Sequence, residues 1–116
     1  MAEQVVVPVS GKAGLAQAAS GEVSALLGDA FAEARDAVLR LDPGGAVLLR
    51  CEPGQDGAVL VGAVTSLCRT LAREAAPRGV RVNAVVARPG ADVAALIEFL
   101  GSAASVMCTG AVLKAV

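Results

Sequence analysis

The stretch AVTSLCRTLAREAAPRGVRVNAVVARPG, Ala63–Gly90, decides how the rest of the chain is read. Apolar residues recur at Leu60, Val64, Leu67, Leu71 and Ala75, three or four apart, which predicts an amphipathic helix. Arg69, Arg73 and Glu74 fall on another face. Pro77 and Gly79 stop the helix, because proline cannot continue the hydrogen-bond ladder and glycine relaxes the backbone. Val80 to Ala87 then runs almost unbroken in apolar residues, the pattern of a parallel strand covered on both faces. Asn83 interrupts that run. A polar side chain in a buried strand needs partners, so Asn83 is expected to be a structural hydrogen-bonding residue.

Outward from this core the same alternation continues. Val5–Val9 reads as a short strand, and Pro8, which withholds one ladder donor, suits a sheet edge or a strand end. Ser10-Gly11-Lys12-Ala13-Gly14 reads as a loop. Glu22–Leu41 reads as a helix with a stripe at Leu27, Phe31, Ala34, Val38 and Leu41, and Ser20 or Ser24 as its cap. Asp42-Pro43-Gly44-Gly45 ends it. Ala46–Cys51 is a buried strand, Asp92–Gly101 a shorter helix and Ala111–Val116 a terminal strand. Helices between successive strands imply parallel pairing with right-handed crossovers. The expected fold is α/β: three layers, about four parallel strands in chain order and helices on both faces, in a single domain over residues 1–116.

Composition narrows the function classes. Hydrophobic residues make up 55% of the 116 and charged ones 18%, enough to bury a core. With two Phe and no Tyr or Trp, that core must be Ala, Val and Leu. A formal charge of −1 with no basic run argues against a nucleic-acid partner. Cys51, Cys68 and Cys108 have no metal-ligand spacing and there is no histidine, so no metal is expected; they read as reduced thiols of a cytoplasmic protein. No apolar run approaches the roughly 18 residues of a membrane span, and Met1-Ala2-Glu3-Gln4 lacks a basic signal-peptide start.

The stretch resembles the short-chain dehydrogenase/reductase family, in which a helix ending R-x-LA-x-E-x-A-x-x-G-(I/V)-RVN enters a strand that ends in PG. Arg69, Leu71, Ala72, Glu74, Gly79, Arg81, Val82, Asn83, Ala84, Pro89 and Gly90 fall in place. Asp92-Val93-Ala94 through Phe99-Leu100-Gly101-Ser102, then Thr109-Gly110-Ala111-Val112-Leu113, is similar to the family's C-terminal pattern. The resemblance implies a truncated Rossmann-like fold, since a typical member is about twice as long. Under it, Glu22–Leu41 is the family's fourth helix and Ala46–Cys51 its fifth strand. The opening strand matches either the first strand, with its glycine-rich turn, or the fourth, and the residues leave both open.

The resemblance also states what the family's hydride transfer requires. A Tyr-x-x-x-Lys pair supplies the acid and base, the lysine lowering the tyrosine pKa. A serine holds the substrate oxygen and an asparagine relays protons. By alignment the tyrosine position falls on Gly57, the lysine position on Val61, the serine position near Cys51 or Glu52 and the asparagine position near Leu26. No catalytic residue is carried over. Ser10-Gly11-Lys12-Ala13-Gly14 holds two glycines but not the three-glycine dinucleotide pattern, and no P-loop, so no cofactor-binding residue is assigned and NAD(P) is not expected. The substrate-covering insertion normally found between Pro89-Gly90 and Asp92 is missing.

The resulting expectation is a pseudoenzyme acting as a structural or regulatory partner, either as a homo-oligomer or docked on a full-length dehydrogenase. In the family the fourth and fifth helices pack against their mates as a four-helix bundle. Leu27, Phe31, Val38, Leu60, Val64, Leu67 and Leu71 are the expected interface, with Asp92–Gly101 and Ala111–Val116 as a second contact. The rival is a small enzyme or ligand-binding protein using the strand ends near Ser10, Cys51, Glu52 and Arg88 on a nucleotide or an acyl thioester; taken singly, Cys51 reads as a buried structural thiol, Glu52 and Asp56 as a solvated loop and Arg88 as a surface residue.

Overall fold

The computed structural model describes residues 3–11, 13–54 and 57–115. Its elements are β1 (Gln4–Gly11), α1 (Leu15–Ala19), α2 (Glu22–Arg40), β2 (Ala46–Pro53), α3 (Ala58–Ala75), β3 (Arg81–Ala87), α4 (Ala94–Gly101) and β4 (Val112–Ala115). The four strands form one parallel sheet in the order β1-β2-β3-β4, as expected from the alternation of strand and helix. The expected strand and helix positions agree to within a few residues at each end. The short α1 was missed, because its Leu-Ala-Gln-Ala-Ala run is too brief to show a period.

Strand alternation sorts the core into two layers. Val7, Val9, Val47, Leu49, Cys51, Val82, Ala84 and Val86 face one way, and on them lie Val23, Ala30, Ala34, Ala37 and Val38 of α2 and Leu60, Val64, Cys68, Leu71 and Ala75 of α3. Leu48, Val85 and Ala87 face the other way, under Val93, Leu96, Ile97 and Leu100 at α4. The strands step in one direction while the connection changes face after β3. The third crossover therefore has the opposite hand to the first two, which departs from the uniform right-handed crossovers that the element order suggested.

β1 is an edge strand, paired only with β2 among the described residues. The Glu3 carbonyl accepts from the Ala46 amide at 2.9 Å. Backbone groups alternate sides along a strand, which turns the missing Pro8 donor to the outer edge, where proline is tolerated. Under the resemblance that makes β2 the family's fifth strand, β1 stands where the fourth lies in the doubly wound order 3-2-1-4-5-6.

The Arg-Val-Asn and Thr-Gly motifs interlock. Asn83 Nδ2 donates to the Cys108 carbonyl at 2.9 Å and Asn83 Oδ1 accepts from the Ala111 amide at 3.1 Å. Thr109 Oγ1 accepts from the Val82 amide at 3.1 Å. Gly110, at φ +71°, makes the left-handed turn that lets its amide reach the Val82 carbonyl at 2.7 Å. Arg81 donates from Nη1 to the Leu100 and Ser105 carbonyls and to Ser105 Oγ, at 3.3, 2.7 and 2.8 Å. These bonds fix the return from α4 into β4, and Asn83 has the structural role expected of it. The expected serine cap of α2 is absent. Gly21 is its N-cap, while Ser20 Oγ donates to the Gln17 carbonyl and bonds Glu22 Oε2.

Candidate functional site

The C-terminal ends of parallel strands are where α/β proteins place their chemistry. Here those ends bring together Ser10 and Gly11 of β1, Cys51, Glu52 and Pro53 of β2, the start of α3 and the Ala87–Gly90 turn. Gly57 caps α3, and a Cβ built on it would lie 2.4 Å from Pro53 Cβ and 2.9 Å from the Gly54 carbonyl oxygen. Any side chain there requires the β2–α3 turn to move. Leu26 and Val61 are half-buried and pack against the larger core cluster. A Cβ on Gly11 would sit 3.3 Å from Leu26 Cδ2, so α2 closes directly on the end of β1. Apolar packing fills the places that the family's asparagine and lysine would take.

Cys51 is fully buried on the helix-facing side. Burial, then the neighbouring Glu52 charge, pushes its thiol up to about 11. A thiol held protonated is a poor nucleophile, which suits Cys51 as a buried structural thiol. Glu52 Oε1 pairs with Arg50 Nη2 at 3.2 Å. Asp56 and Lys12 lie outside the described residues. Arg88, Pro89 and Gly90 are exposed in a turn. No cluster of His, Cys, Asp and Glu suited to a metal occurs among the described residues.

A dinucleotide would need a crevice between two diverging strands and a helix N-terminus behind a glycine turn. The described residues provide one wall of that crevice, since β1 is an edge. β1 is followed by the five-residue α1, ahead of which Ala13 is buried.

A groove of about 480 Å³ runs between α2 and α3, lined by Leu27, Gly28, Phe31, Ala63, Ser66, Leu67 and Thr70. It contains three of the seven expected interface residues: Leu27, Phe31 and Leu67. The other four are corrected. Val38, Leu60, Val64 and Leu71 are buried in the chain's own core, at 6%, 0%, 0% and 2% exposure, and are out of reach of a partner. Sequence reasoning missed Gly28, Ala63, Ser66 and Thr70. The signal was present as small residues three or four apart, offset by one position from the apolar stripe. At the second expected contact Phe99 is exposed, as are Val106 and Met107 in the segment between its two parts.

Comparison with known proteins decides the family. The sequence signature described as SDR-like, short chain dehydrogenase-like protein, matches residues 12–115. The chain belongs to the short chain dehydrogenase-like family. Solved structures similar to this dehydrogenase-like chain include BdcA from E. coli, with a TM-score of 0.74, 22% identity, and coverage of 97% of this chain and 59% of that one. A short-chain dehydrogenase/reductase from Serratia marcescens gives 0.73 and 19%, covering 97% and 63%. A short chain dehydrogenase from Mycobacterium smegmatis gives 0.70 and 25%, covering 97% and 58%. The dehydrogenase-like chain thus spans about three-fifths of the length of these structural relatives. A comparison with curated proteins finds no match.

Proposed function

We propose that this dehydrogenase-like chain is a non-catalytic partner subunit that associates with a second copy of itself through the α2–α3 groove. The observation that carries the non-catalytic half is Gly57. The position aligned with the family's proton donor has no room for a side chain, and the sequence contains no tyrosine at all. Its mates Val61 and Leu26 are committed to packing, so what this part of the chain offers is scaffold.

Support for association comes from the groove. Phe31 and the half-buried Leu27 and Leu67 form ridges beside the small Gly28, Ala63 and Ser66. Ridge and hollow lie on one surface, so a two-fold rotation can seat each copy's ridge in the other's hollow. Burying such side chains is worth about 1.5–3 kcal/mol each. The family resemblance points to the same two helices as the bundle-forming pair. The free thiols Cys51, Cys68 and Cys108 suit a reducing, cytoplasmic setting, and no helix among the described residues is long and apolar enough to cross a membrane.

The test combines two assays on the full chain. Hydride transfer from NADH and NADPH to a panel of ketones should stay at background. Sedimentation should give the mass of two copies. Turnover abolished by substitutions at the strand ends would overturn the non-catalytic reading, and a single-copy mass would overturn self-association.

A further inference from the structure

Beyond the groove, a second hollow of about 560 Å³ lies between the C-terminal half of α3 and the turn into β4. Its polar side chains are Arg69, Thr70, Arg73 and Thr109, and its remaining lining is Ala72, Ala76 and Gly110. No acid lines it. Arg69 and Arg73 are exposed and one helical turn apart, where like charges repel. Neither forms an ion pair with a carboxylate among the described residues, whereas Arg35, Arg40 and Arg50 each do. Thr109 Oγ1 accepts from the Val82 amide, which leaves its hydroxyl hydrogen to donate outward.

A solvated arginine in the last turn of a helix is ordinary, since it complements the helix dipole. That accounts for Arg73. It does not account for Arg69 a turn earlier, or for the hydroxyls of Thr70 on α3 and Thr109 on the turn across from it. The hollow also meets another of about 460 Å³, with which it shares Ala76 and Thr109. Val80, Ala103 and the 65%-exposed Val106 line that second part. Arg81 borders it too, but its guanidinium is spent on the Leu100, Ser102 and Ser105 carbonyls. The combined surface is cationic at one end and apolar at the other.

We propose that Arg69, Arg73, Thr70 and Thr109 bind the head of a small organic anion, a carboxylate or a phosphate ester, whose short apolar body lies along Ala76 toward Val106. Two guanidinium groups around one anion replace their mutual repulsion with charge-assisted hydrogen bonds. This site shares Thr70 with the Leu27–Phe31–Leu67 groove, but its arginines and Thr109 lie outside that groove, and its anion binding does not require self-association.

The test is amide NMR of the full chain titrated with hexyl phosphate, hexanoate, inorganic phosphate and hexanol. Hexyl phosphate, hexanoate or both should move the amides of Arg73, Ala76, Val106 and Gly110, and which of them binds tighter distinguishes the two head groups. Hexanol and inorganic phosphate each lack half of the recognition and should bind about tenfold more weakly or less. R69Q/R73Q should weaken binding by about tenfold or more, while R35Q, outside the hollow, should leave it unchanged. If the double variant is unfolded, R69Q and R73Q are read singly. Equal binding of hexanol and hexyl phosphate, undiminished binding by the arginine variants, or shifts confined to other surfaces would overturn the proposal. So would loss of self-association in R69Q/R73Q with no anion binding in the parent, which would give these arginines to a partner's carboxylates.

Discussion

At the residue scale, a few polar side chains hold the second half of the chain together. Arg81 supplies donors to carbonyls at the C-terminal end of α4 and in the turn after it. Arg81→Ala leaves those acceptors without partners and should lower unfolding free energy by about 2–3 kcal/mol. Arg81→Lys, a point charge without the planar fork, should fall between the two in urea denaturation. The buried thiols give a pH signature. Burial raises Cys51 and Cys68 from an ordinary 9.0 to about 11 each, with the Glu52 charge adding to the first and Arg69 opposing the second. Each therefore holds its proton more tightly folded than unfolded. The stabilisation is complete below about pH 9 and is lost as pH rises through about 11. Urea midpoints measured across that window should fall, and fall less in Cys51→Ala and Cys68→Ala. Installing the family's reacting pair as Gly57→Tyr with Val61→Lys should not restore hydride transfer. The overlap with Pro53 should cost about 1–3 kcal/mol of stability. Turnover in that double variant would show that the β2–α3 turn yields.

At the element scale, the sequence was most legible where periodicity reports burial. The nearly unbroken apolar run Val80–Ala87 became β3, buried at every position from Val82 to Ala87. The Leu60, Val64, Leu71 and Ala75 stripe became the face of α3 seated on the sheet. The same rule explains why Val38, Leu60, Val64 and Leu71, expected at an interface, lie inside the chain's own core. A helix on a sheet spends its strongest stripe inside its own fold, so a partner must use the adjacent face, which on α3 is Ala63, Ser66 and Leu67 with weak periodic contrast. The packing at the strand ends was legible only in part. Missing residue types could be read at Gly57 and Val61, but the Pro53 overlap and the Gly11–Leu26 contact depend on how loops turn in space. Two substitutions separate the faces. Ala63→Glu should leave the fold intact and weaken self-association by about a hundredfold, because it places an unpaired charge in the contact. Leu60→Ala should lower stability by about 2–5 kcal/mol, read by thermal melting, and leave the association of the folded fraction unchanged.

At the scale of the whole molecule, the chain keeps the β1-β2-β3-β4 side of a doubly wound sheet and spans about three-fifths of its structural relatives. The dinucleotide crevice depends on the sheet continuing past the strand that here forms an edge. Pro8 turned outward blunts that edge against pairing. What remains open is the helix layer: the Phe31 and Leu67 groove on one side, and the Arg69 and Arg73 hollow at its end. These are the surfaces proposed to meet a second copy and an organic anion.

Sedimentation equilibrium of the full chain beside Ala63→Glu tests the central claim most directly. The parent should show the mass of two copies at micromolar concentration and the variant that of one, with matching circular dichroism. A parent that stays a single copy at high concentration, or a variant that pairs as well as its parent, would contradict it.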